Sequence, residues 1–405
     1  MIDAIFLFDD AAWRKQLLPL VATRPVSDLR VGIYTIAQKW SLLTNGRSIS
    51  YLTVDYLREK YTKASQYPDS AYVIKGNVIP DRELVERVNN LPIGSVLMKD
   101  GEWIACHALN LSNFTEAIVS AFTVVGFDGS IVSIEHPEDI YLTNAGEINS
   151  DLVHGQHAAN AVSLPEGNTL YGNQLFLEGT PSFRGVSIHT EEGPVYIGAG
   201  VVIEDGVYIK GPVAICAGAR VKTGARLYPN VTIGPGATVC GEINNTVIWG
   251  NSAKGHEGYL GCAVIGEGCN LGAGTSNSNL RNDWKNVRLY DYSSENYRDT
   301  GLLKCGLIMG DFAMAAIHTR FTTGTVIGVG AQLALSRFIP KFVPDFLWLT
   351  DERSEAYQLD KFIAMLVRRD AKKINTMNLV DSRIFECQHA LTENLRKKYL
   401  YSLSK

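Results

Sequence analysis

The chain has 405 residues and a net charge of −4, with no basic run along it. Nucleic acid and anionic membrane surfaces are therefore poor partners, since clustered positive charge is what grips both. A chain of this length exceeds one ordinary hydrophobic core, so two or more domains are expected. The N-terminus, MIDAIFLFDD, lacks the basic n-region of a signal peptide, and no apolar stretch is long enough to span a bilayer. Cysteines at 106, 216, 240, 262, 269, 305 and 387 form no CxxC pair. That pattern suits reduced thiols in a cytoplasmic protein, several of them filling a core.

Residues 1–150 read as an α/β domain. Ala4-Ile5-Phe6-Leu7-Phe8 is a buried strand ending at Asp9-Asp10, residues 31–43 are helical, and 50–54 and 72–74 are strands. After a turn at Gly76-Asn77, a helix over 81–88 has Asp81 as its N-cap, with Glu83 and Glu86 near the positive end of the helix dipole. Short strands follow near 95–99, 102–106 and 131–134. Alternating strands and helices predict a mostly parallel, Rossmann-like sheet whose carboxyl-edge loops carry any site. Residues 151–194 read as a connector.

From Ile197 every sixth residue is a branched aliphatic: Ile197, Ile203, Ile209, Ile215, Val221, Leu227, Ile233, Val239. Two places before each stands Val or Ala, and three places after each of the first seven stands Gly, Pro or Asn. A period of six belongs neither to a helix nor to a free strand. It fits a parallel β-helix of hexapeptide repeats, in which each unit is a short strand and a corner. The coil domain is expected over 195–345. An excursion over 275–305 interrupts it, with a hairpin suggested by Val287 and Leu289 alternating with polar neighbours. The rhythm resumes at Met309, Ala315, Phe321, Ile327, Leu333 and Ile339. Residues 346–405 read as C-terminal helices, with Arg368, Arg369, Lys372 and Lys373 facing solvent near the end of the first.

Ser252-Ala253-Lys254-Gly255-His256-Glu257-Gly258-Tyr259-Leu260-Gly261, followed by Asn270-Leu271-Gly272-Ala273-Gly274-Thr275, resembles the acetyltransferase half of the bifunctional enzymes that acetylate glucosamine-1-phosphate and then uridylylate it. The resemblance implies a left-handed β-helix behind a nucleotidyltransferase-like domain, with acetyl-CoA as acyl donor. It assigns His256 as general base, and Tyr259, Asn270 and Asn279 as residues that hold the amino-sugar phosphate and orient the acyl carrier. An imidazole that titrates near neutrality suits removal of a proton from an attacking amine. Two basic positions of the family differ here. Asn244-Asn245 replace a basic pair, and Tyr228 replaces the Arg of a Leu-Arg-Pro motif, although Arg226 is close by. The serine expected after the resumed coil is replaced near Ile317, beside His318. An amino-sugar acceptor is implied, without glucosamine-1-phosphate itself being specified.

Residues 17–25 and 73–81 resemble sugar-1-phosphate nucleotidyltransferases. The glycine-rich phosphate loop of that family is replaced by Asp9-Asp10-Ala11-Ala12-Trp13-Arg14, its Lys by Val26, and its metal-binding Asp by Asn77. Without glycine the backbone cannot approach phosphate closely. Asp9, Asp10, Arg14, Arg24 and Arg30, with Asn77, are then either a divergent phosphate and Mg²⁺ site for UTP or dTTP, or a solvated turn with structural ion pairs. Three functions follow: an acyl-CoA-dependent N-acyltransferase on an amino-sugar phosphate or sugar nucleotide; a sugar-1-phosphate nucleotidyltransferase with the coil as its stalk; and a non-catalytic scaffold. A three-sided prism has flat outer faces that favour a homotrimer. His189, His256 and His318 do not stack on an 18-residue coil, so no zinc site is expected.

Overall fold

The computed structural model describes residues 4–62, 67–155, 164, 166–373 and 379–403. The chain divides into two compact units: Met1–Arg14, Arg24–Leu29 and Tyr34–Glu135 form the first, and Lys15–Thr23, Arg30–Ile33 and His136–Lys405 the second.

In the first unit six strands form one sheet, in the order Ile49–Leu52, Ala4–Phe8, Ser70–Lys75, Glu102–Leu109, Ser95–Lys99, Thr123–Gly126. Ala4–Phe8 is parallel to both its neighbours, and Ser95–Lys99 is parallel to Thr123–Gly126. Glu102–Leu109 runs antiparallel to the strands on either side, so the sheet is more mixed than the alternation predicts. The cause is local. Asp100 and Gly101 both have positive φ, and this tight turn folds Ser95–Lys99 directly back on Glu102–Leu109. The helix expected over 31–43 begins only at Ile36. Thr35 caps it, accepting from the Gln38 backbone N–H while the Gln38 side chain accepts from Thr35 N–H. Arg82–Asn89 forms as predicted, with Asp81 accepting from the Leu84 N–H at 2.8 Å.

The second unit is built on the coil. Val195 pairs with Val213 and Val213 with Val231, eighteen residues per turn, and the strands are parallel throughout this run. All eight aliphatics of the six-residue rank are at most 2% exposed. They form one continuous core with the second rank and with the later residues Leu271, Met309, Phe321 and Ile327. Gly200, Gly206, Gly218, Gly224, Asn230 and Gly236 turn the corners with positive φ, the backbone state that glycine and asparagine tolerate best. The parallel ladder already starts at Thr169–Tyr171, inside the stretch read as connector; its inward residues Leu170, Leu177, Phe183 and Ile188 are spaced seven, six and five apart, so the six-residue count does not reach them. Helix Asp139–His154 also belongs to this unit rather than to the first 150 residues. Its Asn144 accepts from Thr232 Oγ1 at 2.9 Å and donates to Asn230 Oδ1 at 3.1 Å.

The excursion holds the expected hairpin, Arg288–Asp291 against Asn296–Asp299. Ser276–Asn277 still pairs within the coil, against Arg320–Phe321. Helices Leu359–Lys373, Leu379–Leu391 and Glu393–Leu403 close the chain. Phe362, Leu366 and Phe385 from the first two join Val329 and Phe346 in a second small core. Arg369 does not face solvent as expected. Its guanidinium donates to the carbonyls of Gly268, at 2.6 Å, and Asn251, at 2.8 Å, tying the helix to two coil corners. No helix among the described residues is long and apolar enough to cross a membrane.

Candidate active site

The regular coil loses its rhythm where the candidate residues lie. Eighteen residues separate Ile215 from Ile233, but only fifteen separate Ile233 from Ile248. The strands lengthen to seven residues at Glu242–Ile248 and Tyr259–Ile265. A short bend, His256-Glu257-Gly258, precedes the second of these. Arg226, Glu242 and Tyr259 then stand at equivalent positions on three successive turns.

Tyr259 and Asn279, predicted to act together, do meet. Asn279 Nδ2 donates to the Tyr259 hydroxyl at 2.9 Å and reaches Cys262 Sγ at 3.4 Å. Burial raises the pKa of the Tyr259 phenol, with Cys262 adding to the rise and the Asn279 hydrogen bond opposing it, so the hydroxyl stays protonated. His256 is exposed on the bend three residues before Tyr259. Arg226 pairs with Glu257 at 3.1 Å, with both side chains substantially exposed. A pair of that kind is held weakly, which leaves the guanidinium available to an anionic ligand. Asn270 is not with these groups. It is exposed on a different sheet of the same chain, between Ala253 and the Met314 position.

Four supporting residues had no role assigned from the sequence. Asn277 is buried and acts as a substitute backbone: its Oδ1 accepts from Gly261 N–H and its Nδ2 donates to Gly261 C=O, both at 2.9 Å. Ser276 Oγ accepts from Tyr259 N–H at 3.1 Å. The Ser276-Asn277-Ser278-Asn279 run, polar where a coil strand would be aliphatic, was the available signal. Asn245 stands in the place of the family's basic pair, and its side chain joins Asn230 Nδ2 at 3.0 Å to Cys262 Sγ at 3.9 Å. Lys254 is 1% exposed, with its ammonium on the carbonyls of Cys240 and His256.

In the first unit Asp9 is buried at the end of the first strand. Its Oδ2 accepts from Val26 N–H at 2.8 Å and faces Arg14 Nε at 3.9 Å. Burial raises its pKa, opposed by Arg14 and by hydrogen bonds from Thr53 and Val26. Arg14 donates to the Arg24 carbonyl at 2.8 Å, and Arg24 faces Asp28 at 3.9 Å. Asp9–Arg14 and Arg24–Asp28 are thus two ion pairs joined through the Arg24 carbonyl, with Asp9, Arg14 and Arg24 all buried. Asp10 instead caps a turn, accepting from Ala12 N–H at 2.7 Å. Asn77 is fully buried and donates to Glu135 Oε1 at 2.9 Å. Arg30 belongs to the second unit, where it donates to the Ile33 carbonyl.

Residues 5–157 match the sugar nucleotidyl transferase family model. The bifunctional protein GlmU of Methanocaldococcus jannaschii is 31% identical over 113 residues, 27% of this chain and 27% of that protein. GlmU of Streptococcus equi subsp. zooepidemicus is 25% identical over 284 residues, 66% of this chain and 56% of that protein. The bifunctional sugar-1-phosphate nucleotidylyltransferase/acetyltransferase of Sulfurisphaera tokodaii is 36% identical over 152 residues, 35% of this chain and 37% of that protein. Each match therefore spans less than two thirds of the relative's own length. Over residues 5–157 the chain is thus similar to sugar nucleotidyl transferases, and over the stretches given it is similar to bifunctional sugar-1-phosphate nucleotidyltransferase/acetyltransferases.

Proposed function

We propose that the chain is an acyl-CoA-dependent N-acyltransferase, with acetyl-CoA as the donor and an amino-sugar phosphate or sugar nucleotide as the acceptor. The observation that carries this reading is the Tyr259–Asn279 pair beside the exposed His256 bend, placed where the coil departs from its repeat. In this reading a His256 ring nitrogen takes a proton from the acceptor amine as the nitrogen attacks the thioester carbonyl. Backbone N–H groups at the coil corners stabilise the tetrahedral oxyanion. Collapse expels the CoA thiolate, which takes the proton back from the imidazolium. The products are the amide and free CoA. Arg226 contributes charge toward the acceptor's phosphate, and Tyr259 with Asn279 orients the sugar. Asn270, on a different sheet, joins the site from a neighbouring copy in a homotrimer.

The first unit in this reading transfers a nucleotidyl group from UTP or dTTP to a sugar-1-phosphate, a reaction that Mg²⁺ assists in the resembling family. The donor set does not fit such a metal. Asp9 meets Val26 and Arg14 through Oδ2 alone, and Asn77 donates to Glu135 through Nδ2 while its Oδ1 is buried without a hydrogen-bond partner, but one carboxylate beside a guanidinium and one neutral amide oxygen supply too little charge for Mg²⁺.

CoA release with a panel of amino-sugar phosphates, comparing wild type with His256→Ala, tests the acyl-transfer reading; turnover that survives the substitution, or no turnover with any amino sugar, would overturn it. Pyrophosphate release from UTP or dTTP, abolished by Asp9→Ala, tests the nucleotidyl reading. The assembly calls for a mass near three times 44.5 kDa by light scattering, and a monomer would contradict it.

A further inference from the structure

Along one inner face of the coil the chain stacks Ile203 on Val221 and Val221 on Val239. The next residue in that column is Lys254. Further along, the face is apolar again, with Leu271 on Ala315 and then Leu333 and Leu349. One lysine therefore takes a place in an apolar column, where an aliphatic would fill the space without the cost of desolvating a charge. Such a residue is poorly explained by stability.

Its contacts point elsewhere. Lys254 Nζ donates to the carbonyl of His256 and, at 3.4 Å, to that of Cys240. Outside the prism Lys222 Nζ donates to the Gly255 carbonyl at 2.9 Å. Two ammonium groups thus hold consecutive carbonyls, 255 and 256, on the bend that presents the imidazole. At its far end Gly258 has φ +132° and lies against the Thr275 carbonyl, a conformation closed to a side chain. His256 itself is exposed, and the restraint acts on its peptide from inside the coil.

We propose that Lys254 is a positioning residue, a buried ammonium that fixes the His256 peptide and so the direction of its imidazole. The proposal rests on the reading of His256 as the base, but the holding of the bend is measurable without any reaction. The test uses the full chain with Lys254→Met, which keeps the length and removes the charge, and Lys254→Leu as a second apolar filling. Amide hydrogen exchange in the peptide covering 255–259 is expected to quicken in both, while the regular coil over 195–239 stays protected. In the CoA-release assay kcat is expected to fall by between about ten- and a hundredfold, with the KM for acetyl-CoA unchanged. The melting temperature is expected to hold or rise. Unchanged exchange in 255–259 would overturn the proposal whatever the activity. So would a lower melting temperature with kcat intact, since that outcome describes a residue serving the core alone. If wild type shows no turnover, the reading of His256 as base fails, and the exchange result still decides whether Lys254 holds the bend.

Discussion

Replacing Lys254 by Met should stabilise the second unit at neutral pH, and the advantage should shrink in alkali. Burial pushes the ammonium pKa down from 10.5 to about 8, while Cys240 and Glu257 pull it partly back. The same bend also carries Glu257, paired with Arg226, and Lys222, bonded to the Gly255 carbonyl. A depression of that size corresponds to about 3 kcal/mol between the folded and unfolded chains. Below pH 8 both states are protonated and the whole penalty is present. Between about 8 and 10.5 the folded chain has released the proton while the unfolded chain still holds it, so wild-type stability climbs relative to a variant with nothing to titrate there. Above 10.5 both states are neutral, and only the packing difference between a neutral amine and a thioether remains. Scanning calorimetry of both proteins at half-unit steps from pH 6 to about 10.5 reads this directly, because titrations common to the two cancel in the difference. A gap of several degrees at pH 6–7 that narrows with rising pH is expected. A gap independent of pH, or a variant less stable at pH 7, would show that the two carbonyls fully offset the desolvation and would refute the reasoning.

Gly258→Ala should cost at least ~2 kcal/mol and disturb the His256 bend, since a Cβ there meets the Thr275 carbonyl at φ +132°; a melting temperature within a degree of wild type would contradict it. Tyr259→Phe and Asn279→Ala should each destabilise mildly and show a coupling of about 1 kcal/mol in a double-mutant cycle, as their 2.9 Å hydrogen bond requires; additive effects would mean that the bond contributes nothing. Asp345→Ala should cost about 3 kcal/mol, because it strips the Val329 N–H and the Gln388 side chain of a fully buried acceptor, at 2.8 and 2.7 Å. Early loss of amide protection in Leu379–Leu391 would mark where that cost falls, and unchanged protection there would argue against it.

Much of the coil was legible because its rule is local. A residue every six places points inward regardless of what the rest of the chain does, so Ile197 to Val239 could be counted before any contact was known. The legibility ended where turn length changed. Lys254 lies fifteen residues beyond Val239, so no six-residue count assigns it to the inner column, and only strand pairing reveals it there. Asn144 is a similar case, since its bonds to Asn230 and Thr232 span some ninety residues of sequence. In the first unit the capped helix after Asp81 was readable from its own residues. The mixed sheet followed from a two-residue turn, Asp100-Gly101, that the alternation pattern outweighed.

The candidate site divides along the same line. Tyr259 and Asn279 could be named from their motif, but whether they touch depended on the strand register that brings residues twenty apart together. Asp9, Arg14 and Arg24 could be listed as charges near a strand end, and the fold buried them in two linked ion pairs while turning Asp10 into a cap and leaving Arg30 in the other unit. What the sequence determined by itself was periodic and short-range: the prism, its corners and the helix capped by Asp81. What the tertiary structure decided was which turns are short, and therefore which side chains meet. Neighbour identity in a coil depends on the summed length of every turn between two residues, and a loss of three residues in one turn moves everything after it.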